Sequence, residues 1–305
     1  MSILDRMIIG VMPLVPKPVV GFFSRRYIAG ETVDAALEKS RRLTEGHCMV
    51  TLDVLGEDIR RREQAVAARD AYLELLTAIA KSGIDGNVSL KPTMFGLDFD
   101  ADFACEQIRP VVARAHELGT FVRIDMEDAT TTDRTLEVYR RIRAEFTNCG
   151  VVLQACLRRT IDDAVRLAGM QANVRLCKGI YIEPYAIAWH DRAIIRRNFL
   201  YILEILLRGG SYVGIATHDE LLVSESMNCV HRLGLAPEQY EFQMLLGVAE
   251  RLRAVTVDSG HRMRVYVPFG REWHAYSTRR LRENPSMAGT IARDILGLSA
   301  DRRRR

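Results

Sequence analysis

From about residue 48 the chain alternates short apolar runs with longer segments whose apolar residues recur every three or four positions. The first run, CMVTLDVLG from Cys48, leads into a helical pattern from Asp58 to Lys81 that Ser82-Gly83 stops. NVSL and KPT precede a helix over Ala101 to Leu118, ended by Gly119; TFVRID precedes one over Thr131 to Phe146 with a Thr/Asp-rich start. VVLQAC leads to Thr160–Gln171, NVRLCKG to Asp191–Arg208, and YVGIATH to Glu220–Leu233. YEFQML leads to Val248–Val257, and RMRVYVPF to Trp273–Arg282, with Pro285 beyond.

Eight strand-then-helix units in a row predict a parallel sheet with right-handed crossovers, and eight is the number that closes a (βα)8 TIM barrel. A doubly wound open sheet is the alternative. It calls for a glycine-rich phosphate turn after the first strand, and DVLGEDI is not one. The expected organisation is a helical arm over 1–46, a catalytic barrel over 47–298 and a basic tail over 299–305.

At 305 residues, 48% hydrophobic and 27% charged, the chain suits one large α/β barrel. The net charge of +4 owes much to the terminal DRRRR, so no nucleic-acid partner is expected; that tail suits an anionic surface. The six cysteines are scattered without a CxxC or Cys/His cluster, which predicts a reducing compartment, no disulfide framework and no metal. Pro13, Pro16, Pro18 and Lys17 interrupt the apolar N-terminus, so it reads as an arm rather than a signal or a membrane span.

Barrel chemistry sits at the C-terminal ends of the strands. Those positions here are Asp53, Lys91, Asp125, Gln154, Arg175 with Lys178, Thr217 with His218, Gln243, and Tyr266. Each also has a plain structural reading. Asp125 and His218 could cap the helices that follow them, although Glu127 and Asp128 look better placed than Asp125. Lys91 could be a surface lysine, Gln154 and Gln243 could satisfy backbone groups, and Tyr266 could be core packing. Lys91, Arg175, Lys178, Arg279 and Arg280 oppose mainly Asp125, an excess of cations that calls for an anionic ligand, with Asp125 left for an amine. Adjacent helical residues point about 100° apart. Arg279 and Arg280 therefore share one anion only if their helix lies across the pocket mouth, with Glu283 one turn on to hold a guanidinium.

SLKPT, RIDMED, LQACLRRT, VRLCKGIY, ATHDE, EFQMLLG and YVPFG…RRLREN occur in that order, together with PLVPKPVVGFF…RYIAG and LGE ahead of the barrel. Across essentially the whole chain this resembles the proline dehydrogenase family, in its short, single-function bacterial form. The resemblance implies a distorted barrel whose eighth helix covers the mouth, with FAD as cofactor, oxidising L-proline to Δ1-pyrroline-5-carboxylate. It implies that Arg279 and Arg280 bind the substrate carboxylate, and that Lys91, Asp125, Tyr266 and Leu245 line the substrate site. Met126, Gln154, Arg175, Lys178, Gly179, Ile180, Thr217 and His218 would hold the flavin, with Glu57 pairing with Arg175 as a gate. Ile180 stands where many members have alanine, and Cys156 where tyrosine is frequent; Ile182 followed by Glu183-Pro184 matches the short bacterial members.

The resemblance further implies reoxidation by a membrane quinone and a separate pyrroline-5-carboxylate dehydrogenase downstream, the length leaving no room for a fused one. The expected location is the cytoplasm, with peripheral contact to the inner face of the membrane through the arm and tail. The enzyme-class rival is a lysine barrel in which Lys91 or Lys178 forms a Schiff base, as in aldolases. It leaves Gln154 and the arginine pair without a task. A non-enzymatic scaffold that binds through its RRRR tail is the remaining alternative.

Overall fold

A computed structural model describes residues 21, 24, 26–56, 59–274 and 277. Its strands are β1 (Cys48–Val54), β2 (Gly86–Leu90), β3 (Val122–Ile124), β4 (Cys149–Gln154), β5 (Val174–Cys177), β6 (Val213–Ala216), β7 (Tyr240–Leu245) and β8 (Met263–Phe269). They close in sequence order, every neighbouring pair parallel, with β8 returning to β1. The expected eightfold barrel is the observed fold.

Helix α1 (Val33–Glu45) precedes the barrel and packs on β1 and β8. The crossovers are α2 (Arg62–Ser82), α3 (Ala101–Glu117), α4 (Thr132–Glu145), α5 (Thr160–Gly169), α6 (Arg192–Arg208), α7 (Glu220–Arg232) and α8 (Glu250–Asp258). Two of them start later than the apolar periodicity predicts. At α2, the Gln64 side chain accepts the backbone N–H of Arg60 (2.8 Å) and Arg61 (3.0 Å), which fixes the N-terminus at Arg62. At α8, Ala249 is left-handed (φ 48°, ψ 42°), so no helix runs through it from Val248. The segment predicted to be helical from Trp273 opens with helical turns at Trp273 and His274, and its remainder, Ser277 excepted, lies outside the described residues.

The strands have two very different faces. Val50, Leu52, Val88, Leu90, Val122, Ile124, Val174, Leu176, Val213, Ile215, Phe242 and Val265 are fully buried in one apolar cluster with the helices. Each such side chain contributes about 1.5–3 kcal/mol by leaving water. The alternating positions face the barrel interior, and many are polar: Thr51, Asp53, Asn87, Ser89, Arg123, Asp125, Arg175, Glu241, Gln243 and Arg264, all buried. They bond across strands: Thr51 Oγ1 donates to Asn87 Oδ1 at 2.5 Å, and Arg123 reaches Val151 O and Asn173 O. Glycines supply room for the long chains, since a Cβ at Gly150 would overlap Arg123 and one at Gly214 would overlap Gln243.

Buried among these contacts is the Arg264–Glu241 pair, Nε to Oε1 at 2.8 Å, completed by Arg264 Nη1 to Val50 O at 2.9 Å. Burial alone would raise the Glu241 carboxyl, but Arg264 outweighs it, with help from Gln243 and Tyr212, and holds it below its ordinary value. Such a carboxylate stabilises the fold above its unfolded value of ~4.3 and stops doing so as pH falls through the lower folded value. Glu241→Gln is therefore expected to flatten the acid limb of the stability–pH curve below about pH 4.3. Glu241→Leu is expected to cost about 3–5 kcal/mol in urea denaturation, because it strands a buried guanidinium. The double change Glu241→Leu/Arg264→Met should cost clearly less; an equal or larger loss would mean that the pair itself, and not the stranded charge, carries the stability.

Candidate active site

The C-terminal ends of β1, β2, β3, β5, β7 and β8 bring six of the sequence-selected residues onto one buried floor. Lys91, just past β2, bonds both Asp53 oxygens, at 3.0 and 2.8 Å. Asp125, just past β3, accepts from Arg175 Nη1 (2.7 Å), Ser89 Oγ (2.6 Å) and the Tyr266 hydroxyl (3.2 Å). Arg175 also donates through Nε to Gln243 Oε1 at 2.6 Å, and its guanidinium stands 5.2 Å from the Tyr266 ring centroid. Tyr72, reaching in from α2, donates to Ser89 O at 2.6 Å and lies 3.3 Å from Asp53 Oδ1, tying β1 to β2 beneath the floor.

The electrostatics follow from these partners. Burial works against the Lys91 charge, but Asp53, and behind it Asp125 and Glu127, outweigh it and raise the ammonium above its ordinary value. Lys91 is thus a proton donor, held charged. Arg123, one level below Arg175, is pulled down to about 9 by burial and by its fellow guanidinium. It has no carboxylate bonded to it among the described residues and relies on carbonyl oxygens and the Asn173 side chain.

The ends of β4, β5 and β6 form a second, adjoining group. Gln154 Nε2 donates to Glu127 O at 2.7 Å. Gly179 is left-handed (φ 97°), and a Cβ there would collide with Cys156 Sγ and approach Gln154 Oε1, so the chain at 178–180 lies directly against Gln154. Lys178 and Arg196 both bind the one carboxylate of Asp219, at 2.9 and 2.8 Å, which leaves this cluster a positive charge in excess. Thr217 Oγ1 accepts from Asp219 N at 3.1 Å, and His218 Nε2 accepts from Leu245 N at 2.8 Å. Met126 is buried, and Ile180 is half-buried beside Gly179.

Several sequence expectations change. The floor cations do not mainly oppose Asp125: Lys91 pairs with Asp53 and Lys178 with Asp219, so Asp125 is one of three matched carboxylates. Glu127 does not cap the helix after it; its two oxygens take Thr93 N and Thr93 Oγ1 in the neighbouring turn that follows β2. Asp128 closes a local turn on Thr130. His218 serves β7 and not the start of α7. Lys91, 6% exposed, is no surface lysine. Glu57, Arg279, Arg280 and Glu283 lie outside the described residues.

Sequence reasoning missed Ser89, Asp219, Glu241 and Arg264. Strand parity could have found three of them: Ser89 stands two before Lys91, Glu241 two before Gln243, and Arg264 two before Tyr266, each on the inward side. Asp219 carries no such signal, being one residue past a selected position. The Schiff-base reading loses its best candidate here, since a lysine held as ammonium by a buried carboxylate is a poor amine nucleophile. Among the described residues no group of three or more His, Cys, Asp or Glu could hold a metal.

Comparison with known proteins agrees with this geometry. The family model for proline dehydrogenase matches residues 36–293. Proline dehydrogenase 1 of Bacillus subtilis strain 168 is 33% identical over 273 residues, 90% of each chain. Proline dehydrogenase of Deinococcus radiodurans is 34% identical over 278 residues, again 90% of each. Bifunctional protein PutA of Escherichia coli is 25% identical over 337 residues, covering 92% of this chain and only 25% of that protein. Among solved structures, proline utilization A from Bdellovibrio bacteriovorus, inactivated by N-propargylglycine, superposes with a TM-score of 0.81 at 28% identity. That match covers 89% of this chain and 34% of the larger one. Sequence over nearly its full length and a shared barrel together assign this chain to the proline dehydrogenase family.

Proposed function

We propose that this chain oxidises L-proline to Δ1-pyrroline-5-carboxylate with FAD as the immediate electron acceptor and a membrane quinone as the next. The observation that supports it best is the buried Arg175–Asp125 pair on the barrel floor, 2.7 Å apart and joined by Tyr266, within a chain of this family.

The residues present fit a flavin. Gly179 brings main chain against Gln154, where no side chain fits between them, and Gln154, Thr217 and His218 offer polar groups along the same three strand ends. Lys178 and Arg196, sharing one carboxylate, supply the positive charge that a diphosphate needs. Met126, Gln154, Arg175, Lys178, Gly179, Ile180, Thr217 and His218 are the residues assigned to hold it. When bound, the flavin supplies a two-electron acceptor for the hydride leaving the substrate carbon next to nitrogen.

The protein's own task is to bind, orient and adjust protonation. Proline arrives as ammonium and carboxylate, and hydride leaves easily only when nitrogen has a free lone pair, so the ammonium must lose a proton. Lys91, held as ammonium by Asp53, cannot take it; its role is to fix the floor and to favour the neutral amine by its own charge. Asp125, Tyr266 and Leu245 bound the substrate from below and from the β7–β8 side. The substrate carboxylate is assigned to Arg279 and Arg280, and Glu57 and Glu283 to the holding of Arg175 and of that pair. Arg175 would supply positive charge to stabilise the electron density that a bound flavin gains on reduction. The product, a cyclic imine in equilibrium with its open aldehyde, suits oxidation by a separate aldehyde dehydrogenase. Contact with a quinone in the bilayer is assigned to the apolar N-terminus and the basic tail, on their composition.

The deciding experiment is the absorbance spectrum of the purified protein before and after L-proline is added without oxygen. A flavin spectrum that bleaches is the expected result. A flavin that stays oxidised would redirect the substrate to another cyclic amine and attention to Ile180, and a chain that takes up no FAD would overturn the reading. Asp125→Asn is expected to retain the flavin spectrum while lowering kcat/KM for proline by about 10²-fold, ~2.7 kcal/mol. Unchanged steady-state kinetics in that variant, with a dye as acceptor, would remove Asp125 from the site.

A further inference from the structure

Below Arg175 the barrel interior holds a hydrogen-bonded chain that none of the roles above uses. Gln243 Oε1 accepts from Arg175 Nε at 2.6 Å, and Gln243 Nε2 donates to Glu241 Oε1 at 2.5 Å. Glu241 also accepts from Arg264 Nε at 2.8 Å and from the Tyr212 hydroxyl at 2.9 Å. Gln243 and Glu241 are two residues apart on β7, so both point inward at successive levels of the barrel. Both are buried, as is Arg264 beside them.

A neutral amide is suited to this place. It must accept from a guanidinium on one side and donate to a carboxylate on the other, and both partners are out of water. Leucine would strand Arg175 Nε and one acceptor site of Glu241. A second carboxylate would stand against the first. Its amide nitrogen also occupies the space left by the absent side chain of Gly214, so its rotamer is fixed by packing as well as by bonding.

The consequence falls on Arg175. Its Nε edge is bound by Gln243 and its Nη1 by Asp125 and Ser89, and the Tyr266 ring lies against it. These anchors fix the guanidinium plane and leave Nη2 without a bonded partner among the described residues. We propose that Gln243, itself held by Glu241, is a positioning residue that aims the remaining edge of Arg175 and so sets how strongly this chain stabilises the reduced cofactor. This deepens the reading of a flavin-dependent proline oxidation and rests on it.

The test compares the FAD-loaded wild type with Gln243→Leu and Gly214→Ala. The measurements are the midpoint potential of the flavin under anaerobic reduction and kcat and KM for L-proline. Gln243→Leu is expected to lower the potential by ~30 mV, a tenfold loss in the reduction equilibrium of a two-electron couple. It should lower kcat about tenfold and leave KM within about twofold, because Gln243 lies under Arg175 and away from the substrate. Gly214→Ala, which displaces the amide without removing it, should shift both quantities the same way by less.

Wild-type potential and kcat in Gln243→Leu overturn the proposal. If that variant does not fold, Gly214→Ala decides: a wild-type potential and kcat in it also overturn the proposal. A wild type that binds no FAD, or whose FAD proline does not reduce, sinks the functional reading instead and is seen before any variant is made.

Discussion

Two guanidinium–carboxylate pairs, Arg264–Glu241 low in the barrel and Arg175–Asp125 at its active end, are joined through the amide of Gln243. The rest of the barrel interior is arranged around this chain. Barrels of this kind are more often filled with layers of branched apolar side chains. Here charges occupy that space, and a charge removed from water is tolerable only when every one of its bonds is satisfied. Ser89 and Tyr266 complete the bonds of Asp125 and Tyr212 those of Glu241, and Gly214 makes the room for Gln243. Such an interior has few alternative packings, because shifting one member leaves its neighbours unpaired.

The apolar layer outside is what makes this possible. Each strand turns Val, Leu, Ile, Phe or Met toward the helices, and those contacts supply the burial on which the fold rests. With the outer face fixed, the pleat puts every alternate residue inside, and closure from β8 to β1 sets the level at which each one stands. Asp125 therefore meets Arg175, Ser89 and Tyr266 without any loop having to bring them together. A site built on strand ends in this way is held to fractions of an ångström by the packing behind it.

The matched pairs also change the character of the site. With Lys91 given Asp53 and Arg175 given Asp125, the described floor is close to electrically balanced, and its cations serve as fixed donors and not as free positive charge. The neighbouring ends of β4 to β6 differ, with two cations on Asp219 and a glycine where the main chain is exposed. One side of the mouth thus suits a compact zwitterion and the other an extended anion. The two sit next to each other because β3, β4 and β5 are consecutive in the sheet.

Much of this was legible in the sequence. Alternating apolar runs and helical periodicities mark the eight units and their order, and the strand ends mark Asp53, Lys91, Asp125, Arg175, Gln243 and Tyr266. The sequence could not say who pairs with whom. Lys91 finds Asp53 across 38 positions, Arg175 finds Asp125 across 50, and Gln243 finds Arg175 across 68. A period of two decides which face of a strand a side chain takes, and local order decides which strand follows which. The level at which residues from different strands meet is set by the register of a closed sheet, a property of all eight strands together. For that reason the sequence by itself determined which side chains stand at the strand ends, and only the barrel decided their partnerships.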